Sequence, residues 1–375
     1  MVTPTGPRRP PPPMPLSIIT GFLGAGKTTL LNRLLREAAL ADTVVIINEF
    51  GEIGLDHLLI EKVDGDLLLL QSGCLCCTMR GDLINTLEDL LRRRDNGRIP
   101  PFRRVLIETT GLADPAPVLH TLMSHPYLLL RYRLDGVVTL VDAVNGAATL
   151  DAHAEAVKQV AVADRLVLAK TDLVGDPDAL AALRTRLAGL NPGARQLDAA
   201  CGEADAASLL DAGLYDPDAK IPDVRRWLNA QAYATGHGHH AHGHDVNRHD
   251  AHIRAFCLSS AVALAPAAFD LFLQLLREAH GPSLLRVKGL VGLSDDPARP
   301  VVIHGVQHVF HPPVRLEQWP DADHSTRIVF ILRDLEPRFI EGFWAAFAGT
   351  PVTDMPDAAA LTQSPLSPGR SGLLA

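Results

Sequence analysis

The chain has 375 residues, 47% hydrophobic and 21% charged, with a formal net charge of −8. That length exceeds what one hydrophobic core organises, so two domains are expected. No apolar run approaches the roughly 20 residues of a membrane-spanning helix, and an acidic chain without a basic face is not a general nucleic-acid binder.

The chain opens with "MVTPTGPRRPPPPM". Prolines sit where a secretory signal needs an apolar core of about 7–15 residues, so a disordered leader over residues 1–14 and a cytoplasmic protein are expected. Next comes "LSIITGFLGAGKTTLLNRLLREA", a β-branched run, then glycines, then apolar residues at helical spacing: strand, loop, helix. Within it "GFLGAGKT", Gly21 to Thr28, fits G-x-x-x-x-G-K-[ST]. Gly21, Gly24 and Gly26 let backbone N–H groups face an anion, Lys27 reaches the outer phosphates, and the Thr28 hydroxyl suits Mg²⁺.

After the strand "TVVIIN" (43–48), the apolar run "DLLLLQSG" leads into "GCLCC", which holds Cys74, Cys76 and Cys77. Five cysteines, with Cys201 and Cys257, are too few for a disulfide framework, and clustered thiols in a reducing cytosol more often bind metal or carry out chemistry. Sulfurs at i, i+2 and i+3 converge only from an irregular loop. Thiolates select Zn²⁺ or another borderline-soft ion such as Co²⁺ or Cu(I). The competing reading is a set of small buried thiols. Three sulfurs leave the fourth tetrahedral position open, as a site that hands its metal on requires.

A helix over "LINTLEDLLRRR" follows, with Arg92 to Arg94 read as a solvated helix end. The strand "RVLIETT" (104–110) ends near Glu108, a carboxylate placed for Mg²⁺ or its water shell, and the Gly111 N–H is placed to sense a γ-phosphate. The competing reading of Glu108 is a polar strand end. Strand "GVVTLVDA" (136–143), helical stretch "DAHAEAVKQVAVA" and strand "DRLVLAKTD" (164–172) complete the series. "AKTD", 169 to 172, resembles the N-K-x-D signature with which GTPases read guanine. Lys170 and Asp172 keep that pattern and Ala169 departs from it; the alternative is a simple cap on the next helix. A carboxylate at Asp172 accepts from two guanine donors that adenine lacks.

Strands that alternate with helices and read as continuous apolar runs imply a mostly parallel sheet covered on both faces. The fold expected over 15–232 is therefore a doubly wound α/β domain of the P-loop NTPase kind. The tract at 233–252 carries His237, His239, His240, His242, His244, His249 and His252, seven of the sixteen histidines. It reads as a solvated linker whose imidazoles are accessory ligands for loosely held metal, or as a tolerated low-complexity loop. Beyond it, "HIRAFCLSS", "FDLFLQLLREA", "LLRVKGLVGL", "PVVIHGVQHVFHPP", "STRIVFILRDL" and "RFIEGFWAAF" give a smaller α+β domain over 253–352, followed by a disordered tail over 353–375.

In this order, "GFLGAGKTTLL", "NEFGEIGLD", "GCLCC", "ETTGLADP" and "KTD" resemble the CobW-like family of P-loop GTPases and metallochaperones. "RVKGL", "VQHVFHP" and "TRIVFILRDL" are similar to that family's C-terminal domain. The resemblance implies a phosphate loop from Gly21 to Thr29, a metal site at the three cysteines and a switch segment at 48–56. In that segment Glu49 is either a further metal ligand or a sensor of Mg²⁺, against the plain reading of a surface acid. It implies a GTPase using GTP and Mg²⁺ that carries Zn²⁺, or Co²⁺, to a client metalloprotein. A nucleotide-responsive zinc buffer with no dedicated client is the alternative, and an ATP-using phosphotransferase with a structural metal is a third reading that Asp172 opposes.

Overall fold

The computed structural model describes residues 12–48, 59–63, 67–72, 80–210 and 252–349. In chain order the first part gives β1 (Met14–Gly21), α1 (Lys27–Leu34), β2 (Thr43–Asn48), β3 (Leu59–Val63), β4 (Leu67–Ser72), α2 (Arg80–Asp95) and β5 (Arg104–Glu108). It continues with α3 (Ala116–Ser124), α4 (Pro126–Arg131), β6 (Tyr132–Asp142), α5 (Gly146–Ala152), α6 (Ala154–Val162), β7 (Arg165–Ala169), α7 (Pro177–Leu190), β8 (Arg195–Asp198) and α8 (Ala206–Leu209). The eight strands form one sheet in the order β3-β4-β2-β5-β1-β6-β7-β8. Every neighbouring pair is parallel except β3 with β4 at the edge.

The continuous apolar runs have a direct structural cause. Leu16, Ile18, Val44, Ile46, Val105 and Ile107 pack into the cluster shared with α2 and α3, whereas Ile19, Val45 and Leu106 pack into the cluster shared with α1. Successive side chains of a strand point to opposite faces, so a sheet covered on both sides asks for an apolar residue at every position. On α2, Leu83, Leu87, Leu90 and Leu91 are buried, the i, i+4, i+7, i+8 stripe of an amphipathic helix.

The second part comprises β9 (Ile253–Ser260), α9 (Pro266–His280), β10 (Leu284–Val291), β11 (Val301–Val306), β12 (Val309–Phe310), β13 (Val314–Arg315), β14 (Thr326–Arg333) and α10 (Pro337–Phe347). Its strands form a separate antiparallel sheet. One face packs on α9 and α10 through Phe269, Phe272, Leu276, Ile340 and Trp344. The other face carries Arg286 and Lys288 of β10 and His304 of β11, all buried, and these meet the first domain. Asp164, just before β7, accepts hydrogen bonds from Arg286 at 2.6 Å, from Lys288, and from the Val137 N–H at 2.8 Å. Arg286 also donates to the Val162 carbonyl. On the neighbouring helix α3, His120 Nε2 lies 3.0 Å from the Val306 carbonyl.

Several details differ from the sequence expectation. Met14, assigned to the leader, opens β1 and pairs with Tyr132. The stretch "DAHAEAVKQVAVA" is two helices, because His153 has extended backbone and its ring stacks on Phe22 at 4.4 Å. Arg94 is not simply solvated: its guanidinium lies 5.4 Å from the Phe102 ring centre and Nε donates to the Phe102 carbonyl, a use of both the flat cation and its donors. His252, assigned to the linker, approaches Asp334 at 2.7 Å. The expected boundary at 232/233, residues 1–11 of the leader and the tail lie outside the described residues.

Two buried cations on one carboxylate hold the Asp164 pKa far below the carboxylate range, overcoming the burial that opposes ionisation. An Asp164→Asn variant removes a counter-charge shared by the buried Arg286 and Lys288 and should lose about 3–5 kcal/mol of stability at pH 7. Because the folded pKa is depressed, Asp164's contribution is complete above its unfolded pKa of about 3.9 and is lost as the pH falls below it. Urea unfolding followed by tryptophan fluorescence should therefore separate the two proteins clearly at pH 7 and progressively less below about pH 4.

Candidate nucleotide and metal site

The phosphate loop leaves β1 at Gly21 and ends at Gly26, which caps α1 with φ 93° and ψ 21°. That left-handed conformation is one a glycine takes without strain. The Ala25 N–H bonds the Phe22 carbonyl at 3.2 Å and the Leu30 N–H bonds the Gly26 carbonyl at 3.0 Å, so the loop closes directly into the helix. The first-turn N–H groups of α1 have no partner within the helix and form, with the helix dipole, an anion seat. Thr28 and Thr29 are exposed in that turn.

Lys27 is buried, and its ammonium donates to the carbonyls of Gly21 at 2.9 Å and Phe22 at 3.2 Å. Burial pushes its pKa below the ordinary lysine value, with Glu108 opposing. The ammonium is thus held by the loop it serves. Glu108 closes β5, the strand beside β1, and is 5% exposed. Its Oε1 accepts from the Thr28 hydroxyl at 3.2 Å. A hydroxyl and a carboxylate side by side at the edge of a phosphate loop are hard oxygen donors suited to Mg²⁺.

Gly111 lies three residues beyond Glu108 and is pressed against the loop. A Cβ at 111 would stand 2.5 Å from the Leu23 nitrogen and 2.7 Å from its Cα. Close backbone approach, more than a special dihedral angle, is what glycine provides here.

On the other side of β1, Lys170 has φ 62° and ψ 28° and donates to the Gly24 carbonyl at 2.8 Å and to Asp142 at 2.7 Å. Lys170 therefore ties the "AKTD" turn to the phosphate loop. Asp172 is exposed in the same turn. Ala169 is close enough to the loop that a Cβ added to Gly26 would lie 3.7 Å from its own Cβ. Thr171 donates to Asp198 at 2.6 Å and Arg184 reaches the same carboxylate at 2.8 Å, which anchors the turn to β8.

Two contributors went unread in the sequence. Asp142, at the tip of β6, accepts from Lys170 and from the Val144 and Asn145 N–H groups at 2.8 and 3.2 Å. Burial works against its ionisation, and these hydrogen bonds outweigh it to hold the pKa below the ordinary value. Its signal was the carboxylate ending "GVVTLVD" at the same sheet edge as the phosphate loop. Gln159, a polar residue within the apolar run "VKQVAVA", donates to the carbonyls of Gly111 and Ala113.

Glu49, Cys74, Cys76, Cys77, His237, His239, His240, His242, His244 and His249 lie outside the described residues. Among the described residues no group of three or more His, Cys, Asp or Glu side chains could hold a metal ion. Cys201 is exposed and Cys257 is partly buried, and burial pushes the Cys257 pKa up to about 11, so that thiol is not a ready thiolate. What the structure does fix is where the cysteine segment starts. β4 runs parallel to β2 in register Asn48 with Ser72, and β2 runs parallel to β5 in register Ile47 with Glu108. β2 and β4 thus end, at Asn48 and Ser72, on the edge that carries Glu108 and the phosphate loop. With strands about 4.8 Å apart, β4 lies roughly 14 Å from β1.

Comparison with known proteins gives consistent matches. Residues 15–198 match the CobW/HypB/UreG nucleotide-binding domain, and residues 253–348 match the cobalamin synthesis protein cobW C-terminal domain. The zinc chaperone YjiA of Escherichia coli is 34% identical over 337 residues, covering 90% of this chain and 98% of that protein. The zinc chaperone CobW of Pseudomonas aeruginosa is 31% identical over 358 residues, covering 86% of this chain and 88% of that protein. Among solved structures, the Zn(II)-bound YjiA GTPase from E. coli superposes with a TM-score of 0.67 at 29% identity, covering 89% of this chain and 99% of that one.

The contact at Gly111 makes a direct prediction. Gly111→Ala forces the 108–114 segment away from Leu23 and should lower the rate of nucleoside triphosphate hydrolysis about 10- to 100-fold, as misplacements of about 1 Å do. Phosphate release at saturating nucleotide, with GDP affinity measured in parallel, checks it.

Proposed function

Because this chain belongs to the CobW/HypB/UreG family, we propose that it is a GTP-hydrolysing metallochaperone that carries zinc on the "GCLCC" cysteines and delivers it to a client metalloprotein. The observation that carries the reading is the shared sheet edge: β1 delivers the phosphate loop, β5 delivers Glu108, and β2 and β4 end in register beside them. A nucleotide seated on that edge acts on all four strand ends at once.

In this reading, Lys27 and the first-turn N–H groups of α1 bind the β- and γ-phosphates, and Lys170 and Asp172 bind the guanine. Thr28 and Glu108 hold Mg²⁺, which when bound would neutralise charge on the phosphate oxygens. Water attacks the γ-phosphorus and GDP leaves, so the reaction is GTP plus water to GDP plus phosphate. Gly111 senses whether the γ-phosphate is present. Loss of that phosphate relaxes the segments after Glu108 and Asn48, and with them the cysteine loop. Coupling requires that zinc bind one nucleotide state more tightly than the other. The names of the relatives, zinc chaperone in bacteria and zinc-regulated GTPase metalloprotein activator in Schizosaccharomyces pombe, support zinc over cobalt as cargo.

Zinc titrations in the presence of a non-hydrolysable GTP analogue with Mg²⁺, and of GDP, are the test. Affinities should differ about 5- to 150-fold between the two states, and Cys76→Ala should abolish the difference. Equal affinities, unchanged by Cys76→Ala, overturn the reading. A deletion of residues 236–244 should leave the tight site intact; loss of most of the zinc capacity instead favours the buffer. The preference for GTP over ATP should fall at least about 100-fold in Asp172→Ala, since each of two hydrogen bonds to a carboxylate is worth about 1.5–3 kcal/mol, as measured by competition binding.

A further inference from the structure

Gln159 is 1% exposed on α6, in a face otherwise made of Ala156, Val157 and Val160. A primary amide there is costly where its groups are unpaired; its Oε1 has no partner among the described residues, so the gain lies with the nitrogen. Its Nε2 donates to the Gly111 carbonyl at 3.1 Å and to the Ala113 carbonyl at 3.0 Å. One nitrogen with two hydrogens meets two acceptors, which no shorter or apolar side chain reproduces. Both acceptors belong to the segment that follows Glu108. The neighbouring residue on the helix, Lys158, binds Asp114 of the same segment at 3.2 Å.

The helix that carries these groups is itself fixed by parts of the fold that bear no nucleotide-binding residue. Thr139 donates to the Gln159 carbonyl at 2.8 Å. Asn191 donates to the Val160 carbonyl at 2.8 Å and to the Ala161 carbonyl at 3.2 Å. Arg286 of the C-terminal sheet donates to the Val162 carbonyl, and Ala161 packs with Leu285 and Ile331 of that sheet. Gln159 is therefore a stationary donor facing a segment that Gly111 places against the phosphate loop.

We infer that Gln159 is a positioning residue for GTP hydrolysis: its amide holds the 111–113 backbone against Leu23, so that the Gly111 N–H and the Glu108 carboxylate are presented together to the γ-phosphate and its metal. The inference rests on the GTPase reading above. It places the effect of Gln159 on the step that depends on the γ-phosphate, and leaves GDP, which is held by the phosphate loop and the "AKTD" turn, largely indifferent to it.

The test uses the full chain with Gln159→Leu and Gln159→Glu, measuring kcat and KM for GTP, GDP affinity and thermal unfolding across pH 6 to 8. Gln159→Leu should lower kcat about 10- to 100-fold while GDP affinity stays within about twofold. An ionised carboxylate repels both carbonyls, whereas a protonated one donates to one of them. Gln159→Glu, expressed relative to wild type at each pH, should therefore exceed Gln159→Leu where its carboxyl is protonated, and should decline toward high pH. Should the Leu variant not fold, Gln159→Met, which keeps the chain length without a donor, takes its place. Wild-type kcat in the Leu or Met variant, loss of GDP binding in proportion to kcat, or a Glu variant whose kcat relative to wild type rises with pH overturns the role of Gln159. Wild-type protein that does not hydrolyse GTP overturns the GTPase reading itself, an outcome distinct from normal hydrolysis in every variant.

Discussion

A central parallel strand with both faces buried can present function only at its ends, and β1 is such a strand. Flanked by β5 and β6, it ends where the backbone turns into α1, and the unpaired N–H groups of that helix supply the anion seat. Parallel pairing then brings the ends of β2, β4, β5, β6 and β7 to the same edge. Glu108, Asp142 and Lys170 are near one another because they each terminate, or directly follow, a strand of one parallel sheet. The chemistry of the edge is a consequence of strand direction.

The charges at this edge form linked pairs. Lys27 is held by loop carbonyls, Thr28 by Glu108, and Lys170 by Gly24 and Asp142. Each pairing satisfies a polar group in a partly dry setting, where an unpaired one is costly. The same rule operates between the domains, where Asp164 collects two cations from β10. Sequence position disguises this: Arg286 and Lys288 sit in an ordinary strand pattern, and their alternation with Val287 and Gly289 sends them to the face that meets the first domain.

The strand, glycine-rich loop and helix at the start, the strand end at Glu108 and the two-faced apolar runs were legible because each is local. A glycine-rich turn, a strand-tip carboxylate and a two-faced apolar strand announce themselves within about ten residues. Asp142 and Gln159 were not, because their roles depend on partners 28 and 48 residues away. The break at His153 escaped for a related reason: helical spacing continues through it, and the stacking on Phe22 is a tertiary contact that local propensity does not register. Lys170 was assigned to guanine recognition from "AKTD", and what its bond to the Gly24 carbonyl shows is a brace on the phosphate loop, beside Ala169, which departs from the N-K-x-D pattern.

Helix α6 is nine residues long, so roughly 13 Å of rigid rod. One stretch of it grips residues 111–114 and its end is bolted to β10. Such a rod ties the C-terminal sheet to the backbone beside the phosphate loop, so that a displacement of one bears on the other through α6. The C-terminal sheet and the backbone beside the phosphate loop are thus two ends of one lever, although 124 positions of sequence separate Arg286 from Val162.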